Sequence, residues 1–131
     1  MNTDAASLEA PWIGVGLDGT LALFEGNSDL LHIGDPIPAM VDLVKKWVAQ
    51  GRRVKVVTHR VGPLSEASRA ANVSTELVRT SIMSWLNTHV GVSLEVTHEI
   101  DFDMVEFWDV KAVGTVMNKG EPRQDQSPPQ G

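Results

Sequence analysis

Three polar residues, Asp18, Thr58 and Asp109, each follow a short apolar run that has the pattern of a buried strand. In an α/β sheet of parallel strands, the carboxyl ends of the strands meet at one edge, and ligands bind there. We therefore expect these three side chains to lie at one site. Carboxylates at such a site can serve as general acids or bases, or as oxygen ligands for a hard cation.

The first of these runs, residues 12–15, leads into the sequence Asp18-Gly19-Thr20-Leu21. This stretch resembles the first motif of the haloacid dehalogenase (HAD) superfamily, Asp-x-Asp-Gly-Thr. In that family the first Asp is the nucleophile and a magnesium ligand, and the second is the general acid/base. Asp18 corresponds to the second Asp, whereas Gly16 stands where the nucleophile belongs. The resemblance thus implies the fold of the family without its nucleophile.

The resemblance extends over residues 12–120. Thr58 follows a second strand, where the family places a phosphate-binding Ser or Thr, and Asp109 corresponds to the metal-binding fourth motif. Small relatives read Trp-Asp-Asp-Arg-Ala-Val at that point, so Val110 replaces an acid. The Lys or Arg of the third motif aligns with Ile100. We expect Gly16, Thr58, Ile100 and Val110 to line an apolar substrate pocket.

These replacements remove the groups that phosphoryl transfer in this family requires. An aspartyl-phosphate cannot form at Gly16, because glycine has no nucleophilic side chain. Asp18 and Asp109 are the remaining candidate metal ligands, and we expect them to bind Mg²⁺ weakly or not at all. No cofactor is expected to be required.

Histidine provides a different chemistry for such a pocket. His59 follows Thr58 directly, and its imidazole is expected to reach the space that Gly16 leaves, with Asp18 orienting the ring. Histidine has an ordinary pKa of about 6.5, which suits a general base or nucleophile at neutral pH. His98 is the second candidate. A histidine after a strand is also commonly a solvated loop residue.

Three functions follow from these readings. In the first, the HAD-like site has been repurposed, naturally or by engineering, for His-based hydrolysis or proton transfer on a neutral substrate. In the second, the chain is a catalytically silent HAD-like protein that binds a ligand or partner. In the third, it is a magnesium-dependent HAD phosphatase, which Gly16 argues against most directly.

Composition narrows the possible partners. The chain of 131 residues has a net charge of −6 and no basic cluster, which argues against a nucleic-acid surface. It contains no cysteine, and no apolar run approaches transmembrane length. We expect a cytoplasmic protein that binds a small molecule.

The pattern along the chain predicts one HAD-like domain over residues 1–119, with a loose N-terminus at 1–10 and a disordered tail at 120–131. The alternation of strands and helices predicts an α/β, Rossmannoid three-layer domain with a mainly parallel sheet of about five strands and little or no cap. The predicted strands are 12–16, 54–57, 94–97, 105–108 and 113–117, and the predicted helices are 39–50 and 75–89.

Overall fold

The computed structural model describes residues 11–26, 29–63 and 73–123. Its elements follow in the order β1 (Trp12–Gly16), α1 (Pro38–Ala49), β2 (Arg53–Val57), α2 (Thr75–His89), β3 (Glu95–Thr97) and β4 (Met104–Trp108). A 3-10 turn, His59–Val61, follows β2 directly. The described parts of residues 22–37 and 98–103 connect the elements without further helices.

The four strands form one sheet in the order β3-β2-β1-β4, and every neighbouring pair is parallel. The register places Gly16 beside Val57, and Val15 beside Trp108. The expected α/β class and parallel sheet are confirmed, and the architecture is Rossmann-like. Because β1 lies between β2 and β4, the ends of these three strands meet at the centre of the carboxyl edge.

Each helix begins and ends where local chemistry dictates. Pro38 is the first residue of α1, where a missing backbone N–H costs nothing, and Gly51 follows the helix with a φ of +79°. Ser74 caps α2, because its hydroxyl oxygen accepts a hydrogen bond from the Leu77 backbone N–H at 3.1 Å. The predicted bounds of α2 are confirmed, and those of α1 differ by one residue at each end.

Both helices pack against one continuous apolar core. Alternation along β1 and β2 directs Ile13, Val15, Val54 and Val56 into it. The helices contribute buried side chains at three- and four-residue spacing: Val41, Val44 and Trp47 from α1, and Val78, Ile82, Trp85 and Leu86 from α2. Burial of these side chains fixes the strands from which the site residues extend.

The predicted fifth strand at residues 113–117 is wrong. This segment forms a single bridge between Thr115 and Pro122, and Asn118 and Gly120 adopt positive φ values of 65° and 70°. The chain therefore turns back on itself instead of adding a strand. Glu121 and Arg123 take part in backbone hydrogen bonds of this turn, so the predicted disordered tail does not begin at residue 120.

Other predicted segments fall outside the described residues. These are the loose N-terminus at 1–10 and the tail from residue 124 onward. Within the parts of the chain that the structure describes, neither helix is both long and apolar enough to span a membrane.

Acid should weaken the fold through one contact on the sheet face opposite the core. Trp12 Nε1 donates a hydrogen bond to Asp101 Oδ1 at 2.7 Å, and this bond holds the pKa of Asp101 below its ordinary value of 3.8. A depressed pKa contributes stability above pH 3.8 that is lost as the pH falls through the folded-state pKa. We expect Asp101→Asn to lower the free energy of unfolding at pH 7 and to flatten its decline below pH 3.8.

Urea unfolding at neutral and acid pH measures both effects. Asp42→Asn is the matched control, because Asp42 lies exposed on α1. An Asp101→Asn variant with the same acid dependence as the wild type would contradict the assignment.

Candidate functional site

Asp18, Thr58 and Asp109 lie together at the carboxyl edge of the sheet, as the strand pattern predicts. Thr58 and Asp109 immediately follow β2 and β4, and Asp18 lies two residues beyond the end of β1. The three strands are adjacent in the sheet. The expected convergence is therefore confirmed, and it follows from the parallel order of the strands alone.

The space beside Gly16 is filled by the side chain of Asp109. A Cβ atom built on Gly16 would lie 2.3 Å from Asp109 Oδ1 and 3.4 Å from Thr20 Oγ1. The other carboxylate oxygen, Oδ2, accepts a hydrogen bond from the Lys111 backbone N–H at 2.9 Å. The prediction that Gly16 leaves a cavity for a histidine is therefore wrong, because a carboxylate from the neighbouring strand occupies that space.

Asp18 is held by a buried arginine. Arg60 Nε donates to Asp18 Oδ2 at 2.9 Å, and Arg60 Nη2 donates to Asp18 Oδ1 at 2.8 Å. The remaining guanidinium nitrogen, Nη1, donates to the backbone carbonyls of Leu30 at 3.0 Å and Asp29 at 3.4 Å. This bidentate geometry is the strongest form of an arginine–carboxylate pair.

The predicted Asp18–His59 pairing is therefore replaced by an Asp18–Arg60 pair. Sequence reasoning passed over Arg60, which lies two residues after Thr58. One signal was available: Arg60 follows β2 at the same edge as Asp18, and an arginine near a buried carboxylate at a strand end tends to pair with it.

The two candidate histidines lie on the β2 and β3 side of this edge. His59 is exposed and makes no side-chain hydrogen bond or ion pair with any residue that the structure describes. Thr58 uses its hydroxyl oxygen to accept from the Arg60 backbone N–H at 3.2 Å. His98 packs over Gly62, where a Cβ would lie 3.1 Å from the His98 ring carbon Cγ. The catalytic roles of His59, His98 and Asp18 stay predictions.

An open cleft of about 440 Å³ lies on the other side, between β4 and the start of α1. This volume falls within the range of small-molecule sites. Its walls are apolar except for Thr20 and Asp109, and the complete lining is Gly19, Thr20, Ile37, Ala39, Met40, Leu43, Trp108, Asp109 and Val110. No histidine is among these lining residues, so the apolar pocket and the predicted catalytic histidines are separate.

The polar side chains that line the cleft are those of Thr20 and Asp109. Thr20 is buried, and its hydroxyl oxygen has no hydrogen-bond partner within the described residues. Asp109 is half-buried. Val110 packs against Gly19, because a Cβ atom built on that glycine would lie 3.2 Å from Val110 Cγ2. Of the residues predicted to line one apolar pocket, Val110 lines this cleft, whereas Gly16 and Thr58 do not. Ile100 is exposed in the loop before β4 and does not line the cleft.

The residues at this edge do not fit a magnesium ion. Mg²⁺ requires several oxygen ligands in octahedral geometry. Both Asp18 oxygens already accept hydrogen bonds from the Arg60 cation, and Asp109 Oδ2 accepts from backbone. Across residues 11–26, 29–63 and 73–123, no three acidic or histidine side chains cluster closely enough to hold a metal ion.

The fold defines a Rossmann-like α/β domain, and comparison with a solved structure supports that class. The structure of a conserved protein from Bacteroides thetaiotaomicron is similar to this chain, with a TM-score of 0.51 and 18% sequence identity. The match covers 82% of this chain and 81% of the other. No family model matches the chain, and no curated protein matches it. The likeness establishes the fold alone.

Proposed function

We propose that this chain is a HAD-like domain without phosphohydrolase activity that binds a small, mainly apolar molecule in the cleft between β4 and α1. The observation that carries the proposal is the cleft itself, whose lining is apolar except for Asp109 and Thr20. Concave apolar sites with a few convergent polar groups are typical ligand sites.

The two acids of the HAD-like motifs support a binding role over phosphoryl transfer. Asp18 is paired with Arg60 through both oxygens, so a substrate proton would have to compete with the guanidinium for this carboxylate. Gly16 has no nucleophile, and the adjoining space belongs to Asp109. A phosphate group would also meet the Asp109 carboxylate in a cleft whose lining contains no lysine or arginine.

The chemistry of the lining defines the ligand class. Met40, Leu43, Trp108 and Val110 favour a hydrocarbon or aromatic body, because burying apolar surface stabilises by about 25 cal/mol per Å². The carboxylate of Asp109 accepts hydrogen bonds. We therefore expect a ligand whose polar end is an amine or another hydrogen-bond donor, and we expect carboxylates and phosphates to bind poorly.

A matched pair of probes tests this preference. We expect 3-phenylpropylamine to raise the melting temperature and to shift NMR signals of the cleft residues, whereas 3-phenylpropanoate does neither. Val110→Lys should abolish the response to the amine, because it places a positive charge on the apolar wall beside Asp109. Val113→Lys is the matched control, because Val113 is an exposed valine three residues later that does not line the cleft. Equal responses to both probes, or equal loss in both variants, would contradict the proposal.

Assays for turnover separate binding from catalysis. We expect no hydrolysis of an aryl phosphate above background, with or without Mg²⁺. The hypothesis of His-based hydrolysis predicts turnover of an activated aryl ester that falls in His59→Ala or, if the site is centred on β3, in His98→Ala. Turnover that depends on either histidine would overturn the binding-only function, while turnover unaffected by both changes supports it.

A further inference from the structure

Among the described residues that line the cleft, Trp108 alone is aromatic. It is the last residue of β4, and it is 39% exposed, so part of its ring stays accessible to a ligand. Two aromatic rings in contact stabilise each other beyond the apolar area that they bury. Trp108 is therefore the residue of this cleft that can distinguish an aromatic ligand from a merely apolar one.

The wall that α1 contributes suits the same kind of ligand. Met40 and Leu43 lie three residues apart on this helix, and both line the cleft. The sulfur of a methionine makes favourable contacts with aromatic rings, in addition to ordinary apolar packing. An indole from β4 and a thioether from α1 thus both favour an aromatic ring over a saturated ring of the same size.

The Trp108 ring is held by contacts from outside the cleft. The ring of Trp47, which is buried in the core, lies 5.3 Å from it between centroids, with the two planes tilted by 58°. Trp108 Nε1 donates a hydrogen bond to Glu106 Oε1 at 3.0 Å. Neither Trp47 nor Glu106 lines the cleft, so these contacts orient the ring without occupying the space of a ligand.

Glu106 is itself held in place. It lies two residues before Trp108 on β4, so the two side chains extend from the same face of the sheet. Its second oxygen, Oε2, accepts from Arg52 Nη2 at 3.3 Å. Arg52 and Glu106 are 40% and 42% exposed, so their ion pair contributes little to stability. Its consequence is geometric, because an indole N–H only donates and the Glu106 carboxylate determines where the Nε1 edge of the ring points.

We propose that Glu106 is a positioning residue that fixes the Trp108 indole as the aromatic wall of the cleft, and that the cleft thereby selects amines that carry an aromatic ring. The inference rests on the proposed function and narrows its ligand class from hydrocarbon or aromatic bodies to aromatic ones. Because the indole is already oriented, a ligand does not lose the free energy of ordering it.

Two amines that differ only in their ring test the ligand class. In 3-cyclohexylpropylamine the saturated ring buries at least as much apolar surface as the ring of 3-phenylpropylamine, so burial alone does not favour the aromatic amine. We expect 3-phenylpropylamine to bind about two- to tenfold more tightly in isothermal titration, as an aromatic contact contributes. Equal affinities, or tighter binding of the saturated amine, would overturn the aromatic preference and leave the binding function standing. If neither amine binds, both proposals are wrong.

Variants of Glu106 test its role. Glu106→Leu removes the acceptor of the indole N–H and should abolish the preference between the two amines, whereas Glu106→Gln keeps an acceptor oxygen and should retain it. Glu95→Leu is the matched control, because it removes a glutamate of an exposed ion pair on β3 that does not line the cleft. General destabilisation would weaken both amines alike and would not be rescued by glutamine. A wild-type ratio of affinities in Glu106→Leu would show that Glu106 does not position the ring.

The indole N–H signals report on the ring directly. The chain has four tryptophans, and Trp108→Phe identifies which of their NMR signals belongs to Trp108. We expect this N–H to exchange with solvent faster in Glu106→Leu than in the wild type or Glu106→Gln, and 3-phenylpropylamine to shift its signal more than the saturated amine does. A Trp108 signal that stays unchanged at saturating 3-phenylpropylamine would show that the ligand does not contact the ring, and would overturn the proposal.

Discussion

Replacing Gly16 with Asp is expected to destabilise the protein and to leave it without phosphatase activity. A Cβ at this position would lie 2.3 Å from Asp109 Oδ1, so the new side chain must displace the Asp109 carboxylate from its place. Overpacking of this kind costs roughly 1–3 kcal/mol. The introduced carboxylate then lies beside that of Asp109, and their repulsion adds to the steric loss.

Three variants separate these contributions in chemical denaturation. Gly16→Ala reports the cost of the Cβ alone, and Gly16→Asn reports the cost of a side chain of the same size without charge. Gly16→Asp should be the least stable of the three. Wild-type stability in Gly16→Ala would show that Asp109 moves away freely and that the space beside Gly16 is not tightly filled.

Replacing Arg60 with Ala is expected to cause the larger single loss of stability. Arg60 is 9% exposed, and its removal leaves the Asp18 carboxylate without its cation and the backbone carbonyls of Leu30 and Asp29 without this donor. Breaking a buried pair from one side costs about 3–5 kcal/mol. We expect roughly 3 kcal/mol, because Asp18 retains 27% of its side-chain exposure and water can solvate it partly.

Arg52→Ala is the matched control for this change. Its partner Glu106 lies on the protein surface, and the two side chains are 40% and 42% exposed, so we expect a loss of about 0–1 kcal/mol. Adding Asp18→Asn to Arg60→Ala should recover part of the stability, since no unpaired charge then remains. If Arg60→Ala and Arg52→Ala unfold at the same denaturant concentration, the hydrogen bonds of Arg60 do not stabilise the fold more than the surface ion pair of Arg52 does.

Much of the site could be predicted because strand order fixes it. Asp18, Thr58 and Asp109 follow parallel strands, and a parallel sheet brings such strand ends to one edge whatever the loops do. The side-chain directions beyond those ends could not be read from the pattern. The Asp109 carboxylate turns toward Gly16, and Asp18 turns toward Arg60, because of loop conformations that have no periodicity.

Residues 113–122 form a turn where a strand was predicted, and here too the reason is a local backbone conformation that the apolar pattern does not reveal. Val113, Val116 and Met117 suggest a strand, but Asn118 and Gly120 adopt left-handed backbone conformations that reverse the chain. The Val116 backbone N–H then donates to the Glu121 carbonyl at 2.7 Å. Apolar content indicated burial at this point, whereas Val113 and Met117 are in fact exposed.

The Asp109 carboxylate fills the space beside Gly16, and this also limits which substitutions the two positions can accept. Gly16 and Asp109 form a coupled pair, since any side chain at position 16 is tolerated only if position 109 also changes or turns away. Introducing a carboxylate at position 16 by a single substitution therefore passes through a less stable intermediate, and the effect of each substitution depends on which of the two came first. This order dependence favours glycine at position 16 as long as position 109 is an aspartate that fills the neighbouring space.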